Sequence, residues 1–497
     1  MPARLLRSIA SMLPFTAPSD QRSAPQYIAL PRLSTTVGAF LPGSGPTSPK
    51  SAQASDDDEK QLHHLANLAS VPVHQRRGAL VAIWIYLSPF VVAALTVYAY
   101  LYTTPPGADR IVDHYACAPR SNFTSLTEAC KVGDEPVVEN LNQYDLTLDR
   151  HLNHEQCDIV FPGLFEEIYR ARDFWKERGG VTKKDLDDAQ ERGQARALIY
   201  NNRLYVSWSG GWQQGTRTKA TLALINEALT TATEPVPDIE FVLQTGDNGI
   251  VQGAPWSLSR RLTEPQLTLM PDYSFYSWPE PGVNSFQEVA DNCKIYESKL
   301  KWKNKINKLF WRGAFMVDIR KEFAEISSKY KWGAVEDLNW LDREEVNKKL
   351  ITPEDHCQYK FLGHAEGYAY SGRLKYLMQC RSVIVAHEQQ FTQHFHVKIN
   401  DDPRSPAQNL VTVPGGDFAR LPEVMEDLLK DDEKAKRIAQ NSYDHWRHWL
   451  SPASIDCYWR RLFREWAELQ TFTPVLTKDH TSWNSFSLMD KVHWDPF

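Results

Sequence analysis

The chain has 497 residues, 42% of them hydrophobic and 24% charged, with a formal net charge of −6. This length accommodates roughly two to four domains, and the composition is that of a globular protein. The small net charge and the lack of any dense Lys/Arg block argue against nucleic acid as a partner.

Residues 1–77 are rich in Pro, Ser, Ala and Gly and contain the acidic run Asp56-Asp57-Asp58-Glu59. Such a segment buries too little apolar surface to fold alone, so a disordered cytosolic tail is expected. Residues 78–102 (GALVAIWIYLSPFVVAALTVYAYLY) carry no charge. About 20 apolar residues cross a bilayer as a helix, and Trp84, Tyr98, Tyr100 and Tyr102 stand toward the ends, where interfacial aromatics sit. A single transmembrane helix is therefore expected over 78–102. Arg76 and Arg77 abut its start, whereas the nearest basic residue beyond it is Arg110. The positive-inside bias then places the N-terminus in the cytosol and everything after the helix in a lumen or outside the cell. All seven cysteines (Cys117, Cys130, Cys157, Cys293, Cys357, Cys380 and Cys457) fall on that far side, where disulfides persist. So does the one N-x-S/T sequon, which makes Asn122 the expected glycosylation site. At most three disulfides form within such a chain, leaving one thiol over.

Residues 103–157 read as a luminal stem. Beyond them, Leu164–Trp175 has helical spacing, Ala197–Trp208 reads as two strands around an Asn-Asn turn, and Thr218–Thr230 is helical. Ile239–Gln244 is a short apolar strand. Gly372–Cys380 is helical, Arg381–Ala386 and Leu410–Val413 are strands, and Leu421–Leu429 and Glu433–Leu450 are helices. Strands alternating with helices predict α/β architecture with parallel sheets.

Four constellations bear on chemistry. Asp247, in Thr245-Gly246-Asp247-Asn248-Gly249, follows a buried strand, where α/β folds place ligands, and a carboxylate there suits a general base; the same residues also make an ordinary turn. Arg312-Gly313 pairs a guanidinium with a residue that lets phosphate approach closely. Tyr368-Ala369-Tyr370-Ser371-Gly372-Arg373 is a small-residue loop opening a helix, suited to phosphate oxygens; the alternative is a helix capped by Ser371 with solvated basic residues after it. His387, Glu388, His394 and His396 are read as structural rather than metal-binding. No H-E-x-x-H motif occurs, and no D-x-D anchor for a metal-bound nucleotide is expected in the luminal region.

Six segments in order, FPGLFEEIYRARDFW, PDIEFVLQTGD, MPDYSFYSW, FWRG, HCQYKFLGHAEGYAYSGRLKYLMQCRSVIVAHEQQF and LPEVMEDLLKDDEKAKRIAQNSYDHWRHWLSP, resemble the capsule-associated-protein-like glycosyltransferases, family 90. That family also holds protein O-glucosyltransferases and O-xylosyltransferases. The resemblance implies a GT-B fold of two Rossmann-like lobes around a cleft. It divides the chain into an acceptor-side lobe over 158–298 carrying the base, a nucleotide-sugar lobe over 299–470, and an extension over 471–497. It implies a UDP-sugar donor, no bound metal and no covalent cofactor. It carries the catalytic base onto Asp247 and donor binding onto Arg312, Gly313, Tyr368, Ala369, Tyr370, Ser371, Gly372 and Arg373. Acceptor contacts fall on Tyr273, Phe275 and Trp278, and Cys357 pairs with Cys380. The chain departs from the family pattern at Asn248-Gly249, where an aromatic and Pro are usual, and at Ala314, where Ser is usual.

The function expected is inverting transfer of xylose or glucose from a UDP-sugar to a glycan, glycolipid or polysaccharide hydroxyl. Alternatives are a protein O-glycosyltransferase and a catalytically inactive membrane-tethered sugar-binding protein. The chain ends His-Trp-Asp-Pro-Phe rather than in a retention tetrapeptide. With a membrane anchor this points to a type II protein of the Golgi, or alternatively of the endoplasmic reticulum.

Overall fold

The computed structural model describes residues 131–132, 135–136, 143–210, 215–247, 252–489 and 491–492, with side chains from residue 146 onward. The expected tail, the apolar run 78–102, Asn122 and most of the stem lie outside the described residues. Among those described, no helix is long and apolar enough to cross a membrane.

After a short helical segment over Gln143–Leu148, three helices lead in: α1 (His154–Val160), α2 (Glu166–Lys176) and α3 (Lys183–Gln190). The α2 range matches the predicted helix, and it buries Ile168, Ala171 and Trp175 on one face. β1 (Ala195–Tyr200) and β2 (Arg203–Ser209) then form an antiparallel hairpin. Asn201 and Asn202 turn it at φ of 49° and 57°. Two left-handed residues match the twist of paired strands, and Asn enters that region more readily than most side chains. Helix α4 (Gly215–Thr230) follows, and β3 (Ile239–Gln244) pairs antiparallel with β1. The short strands β4 (Trp256–Ser257) and β5 (Thr268–Leu269) add in parallel, while Thr481–Ser482 closes the far edge on β2.

Helix α5 (Phe286–Lys299) leads to a second sheet of five strands, β6 (Ile306–Gly313), β7 (Gly333–Asp337), β8 (Tyr359–His364), β9 (Val383–His387) and β10 (Val411–Val413). Every pairing is parallel, and the spatial order is β7-β6-β8-β9-β10. Parallel strands need covering on both faces, and the alternation of side chains supplies two apolar faces. Leu309, Trp311, Phe361, Val383 and Val385 join one buried cluster with α6 (Asp318–Ser328), α8 (Leu421–Lys430) and α9 (Asp432–Trp449). Phe310, Leu362, Ile384 and Ala386 point the other way, into the larger core that also includes the first sheet.

The long helix α10 (Pro452–Leu469) leaves the second sheet and returns to the first. Its Trp459, Phe463 and Trp466 surround Trp256, with ring centroids 6.1, 6.2 and 5.4 Å away, and Phe241 stacks on Trp256 at 4.1 Å. A disulfide from Cys457 of α10 to Cys157 of α1 fastens the return. The physical unit built on the first sheet thus includes α10, which the sequence assigned to the lobe ending at residue 470.

Candidate active site

The strand-to-loop junction after β3 is pinned on both sides. Thr245 donates its N–H to Gln194 Oε1 at 2.6 Å, and its hydroxyl lies 3.1 Å from that of Thr218 in α4. Two residues on, Asp247 is half-exposed and accepts a bond from Arg217 Nη1 at 2.7 Å. Arg217 rises from the first turn of α4, mostly buried, with its guanidinium 5.0 Å from the Tyr273 ring centre. Asn248 and Gly249 lie outside the described residues.

Tyr273 and Phe275 occupy a short 3-10 turn and are only 3% and 7% exposed. Tyr273 meets Trp278 edge-on, with centroids 5.9 Å apart, so these two form one aromatic corner beside Arg217 and Asp247. Phe275 instead packs among Phe286, His394 and Phe395. It is a core residue, because the 3-10 turn points it in a different direction from Tyr273.

The seam between the two sheets is built by the residue before them. Asp272 is fully buried and accepts from the Ser274 N–H and hydroxyl, each at 2.6 Å, and from the Tyr370 hydroxyl. Lys375 Nζ stands 3.3 Å from it. Burial pushes the Asp272 carboxyl up, but the Lys375 charge and these hydroxyl bonds outweigh it and hold the group below its usual range. Lys375 is thus not the solvated basic residue that the alternative reading of this segment required: its side chain is 1% exposed. The helix expected over 372–380 shrinks to four residues, α7 (Leu374–Leu377), with no side-chain cap. It stops short because the chain must turn at Cys380, disulfide-bonded to Cys357, to enter β9. A single helical turn offers little dipole for an anion, so any anion site here rests on side chains.

Those side chains converge at the point where strand order reverses. With order β7-β6-β8-β9-β10, the crevice lies beyond the C-terminal ends of β6 and β8, the general ligand position of open parallel sheets. Arg373 reaches across it, donating Nη1 to the Arg312 carbonyl at 2.5 Å and lying 5.1 Å from the Trp311 ring centre. Arg320, from α6, lies 5.5 Å from the same ring and bonds the Glu366 and Ala314 carbonyls at 2.8 and 3.0 Å. Burial, and then the Arg320 charge, push Arg373 down to about 9, still cationic at neutral pH. No carboxylate pairs with Arg373 among the described residues. An under-compensated guanidinium in a crevice is a built anion site. Arg312 contributes its carbonyl, while its guanidinium turns to the Lys349 carbonyl at 2.6 Å and to Glu336 at 3.7 Å. Tyr368 is 53% exposed at the loop tip and Ala369 is buried; Ser371 and Gly372 are partly exposed.

Gly313 makes the approach of Arg373 possible, because a Cβ there would lie 2.9 Å from Arg373 Nη2 and 2.9 Å from the Trp311 ring. Gly313→Ala should therefore displace Arg373 and weaken inorganic pyrophosphate binding roughly tenfold. Calorimetric titration of both chains checks this; equal affinities would show that the site tolerates the methyl.

The buried histidines do not assemble a metal centre. His394 and His396 are each pushed down to about 3 by burial, hence neutral, and among the described residues the only group of three metal-capable side chains is Cys293, Cys357 and Cys380. Two of these are joined as the expected disulfide, and Cys293 is a buried free thiol. Beyond the apolar run a D-x-D sequence does occur, Asp185-Leu186-Asp187, contrary to the expectation above. Its carboxylates are structural: Asp185 completes the capping box of α3 with Thr182, and Asp187 pairs with Arg196 at 2.6 Å.

Sequence reading missed Arg217, Asp272 and Arg320. Arg217 and Arg320 lie outside the quoted segments and Asp272 lies inside MPDYSFYSW beside Tyr273; the packing of distant segments brings Asp247, the Glu366 carbonyl, and Tyr370 with Lys375 to them.

The chain is 25% identical to the O-glucosyltransferase rumi homolog of Aedes aegypti, over 68% of this chain and 86% of that protein. It is 23% identical to O-glucosyltransferase rumi of Drosophila melanogaster, over 58% of this chain and 73% of the relative. Human Protein O-glucosyltransferase 1 is 22% identical over 66% of this chain and 86% of its own length. The profile of glycosyl transferase family 90 matches residues 154–491, spanning both sheets and the returning helix. The chain is therefore a glycosyltransferase and belongs to glycosyl transferase family 90.

Proposed function

We propose that this enzyme has GT-B architecture and transfers a sugar, xylose or glucose, from a UDP-sugar to an acceptor hydroxyl with inversion. The observation that carries the reading is one polar cluster fed from both sheets. Asp247, Arg217 and Tyr273 come from the first, Tyr370 and Arg373 from the loop after β8. The Tyr370 hydroxyl donates to the Asp272 carboxylate, next in sequence to Tyr273, and that bond joins the two sets. Asp247 takes the acceptor proton as the oxygen attacks the anomeric carbon. The bond to the diphosphate breaks, and Arg373, with Arg320 at the same crevice, meets the charge left on the leaving group, while Arg312 holds Arg373 through its carbonyl. Tyr368–Gly372 contact the nucleotide, and Tyr273 and Trp278 face the acceptor; Phe275 supports them from the core.

The acceptor has two candidates. A glycan, glycolipid or polysaccharide hydroxyl is the first. A protein hydroxyl is the second, supported by the name of one relative, human Protein O-glucosyltransferase 1. For topology, the uncharged run 78–102 after Arg76-Arg77 supports a type II anchor with the enzyme in the Golgi lumen.

The test is release of UDP from a panel of nucleotide sugars, with and without chelator, and with glycan or folded-protein acceptors. UDP-xylose or UDP-glucose should be consumed, and chelator should leave the rate unchanged. Activity lost to chelator and restored by a divalent cation would overturn the metal-independent mechanism.

A further inference from the structure

We propose that Asp272 is a positioning residue that clamps the donor loop at both ends from the opposite sheet. This rests on the reading of Arg373 as a diphosphate ligand. Tyr370 and Lys375 bracket Ser371, Gly372 and Arg373, and both bracketing side chains converge on the Asp272 carboxylate. Lys375 also donates to the Gly372 carbonyl at 3.0 Å, tying the loop's middle to its end. The carboxylate is itself fixed by the Ser274 N–H and hydroxyl at 2.6 Å, and Tyr376 returns a bond to the Ser274 carbonyl at 2.9 Å.

The pair is dry, with side chains 0% and 1% exposed, so its geometry is not softened by water. A buried pair adds little net stability over apolar residues but breaks at high cost when one partner goes. Its use here is therefore geometric: it fixes where Arg373 points. The clamp also joins donor to acceptor. Tyr273 is adjacent to Asp272 in sequence, and a Cβ at Gly372 would lie 3.4 Å from the Trp278 ring and 3.6 Å from Asp272. Loop and aromatic corner therefore pack directly against one another.

The experiment measures UDP affinity by calorimetry on the full chain, with a thermal melt of each variant to establish that it is folded at the titration temperature. Asp272→Asn and Lys375→Met should each raise the UDP dissociation constant roughly 10- to 100-fold, and the double variant should be no weaker than the worse single one. If Asp272→Asn fails to fold, Ser274→Ala removes one hydroxyl from the carboxylate and should weaken UDP roughly two- to tenfold. Folded variants that bind UDP as the wild type does would overturn the clamp. Arg373→Ala separates the two readings. If it weakens UDP while Asp272→Asn and Lys375→Met do not, only the clamp falls. If the wild type does not bind UDP, or Arg373→Ala binds it unchanged, the donor-site reading falls and the clamp with it.

Discussion

Asp247→Asn should leave the chain folded and lower sugar transfer roughly 100- to 10,000-fold, the range that a general base contributes. The substitution keeps the size of the side chain and removes only its basicity. The site is half-exposed, so no buried charge is stranded in the protein core. Arg217 loses a charged acceptor but keeps its place over Tyr273. UDP affinity should therefore change little while kcat collapses, the pattern of an interaction used only in the transition state. Near-normal turnover in a folded Asp247→Asn chain would remove Asp247 from the mechanism.

Arg373→Ala should lower kcat roughly 100- to 1,000-fold, as loss of a preorganised transition-state donor does, and weaken UDP as well. Arg373→Lys should recover only part, because an ammonium cannot span two phosphate oxygens as a planar fork does. The same residue gives a pH signature. Burial and Arg320 bring Arg373 down to about 9. The cationic form binds the diphosphate, so affinity is full below that value and falls as pH rises through it. In Arg373→Ala this alkaline loss should disappear. An alkaline limb that persists unchanged in the variant would assign it to another group.

Much of the fold was legible because it depends on local periodicity. The Asn-Asn hairpin, the buried strands β3 and β9 and the helices α8 and α9 are written in runs where side-chain spacing and turn chemistry agree. The Cys357–Cys380 pair was legible by resemblance, and the roles proposed for Asp247 and Arg373 are carried over in the same way. Tyr273 and Phe275 were not distinguishable in MPDYSFYSW, because which face of a turn meets the core depends on what packs there.

The sequence by itself determined the class of the protein: α/β, with strands covered on both faces, and a family whose motifs bring a base and basic loops. Only the tertiary structure decided which charges meet. Arg217 and Asp247 are 30 residues apart, and Asp272 and Tyr370 are 98 apart. Strand order β7-β6-β8-β9-β10 puts the ends of β6 and β8 together, and so brings Arg320 and Arg373 to one indole ring. The return of α10 to the first sheet was likewise hidden, since an amphipathic helix records that it has an apolar face but not which core will bury it. Periodicity is a property of neighbours in sequence, whereas ion pairs, switch-point crevices and packing partners are properties of neighbours in space.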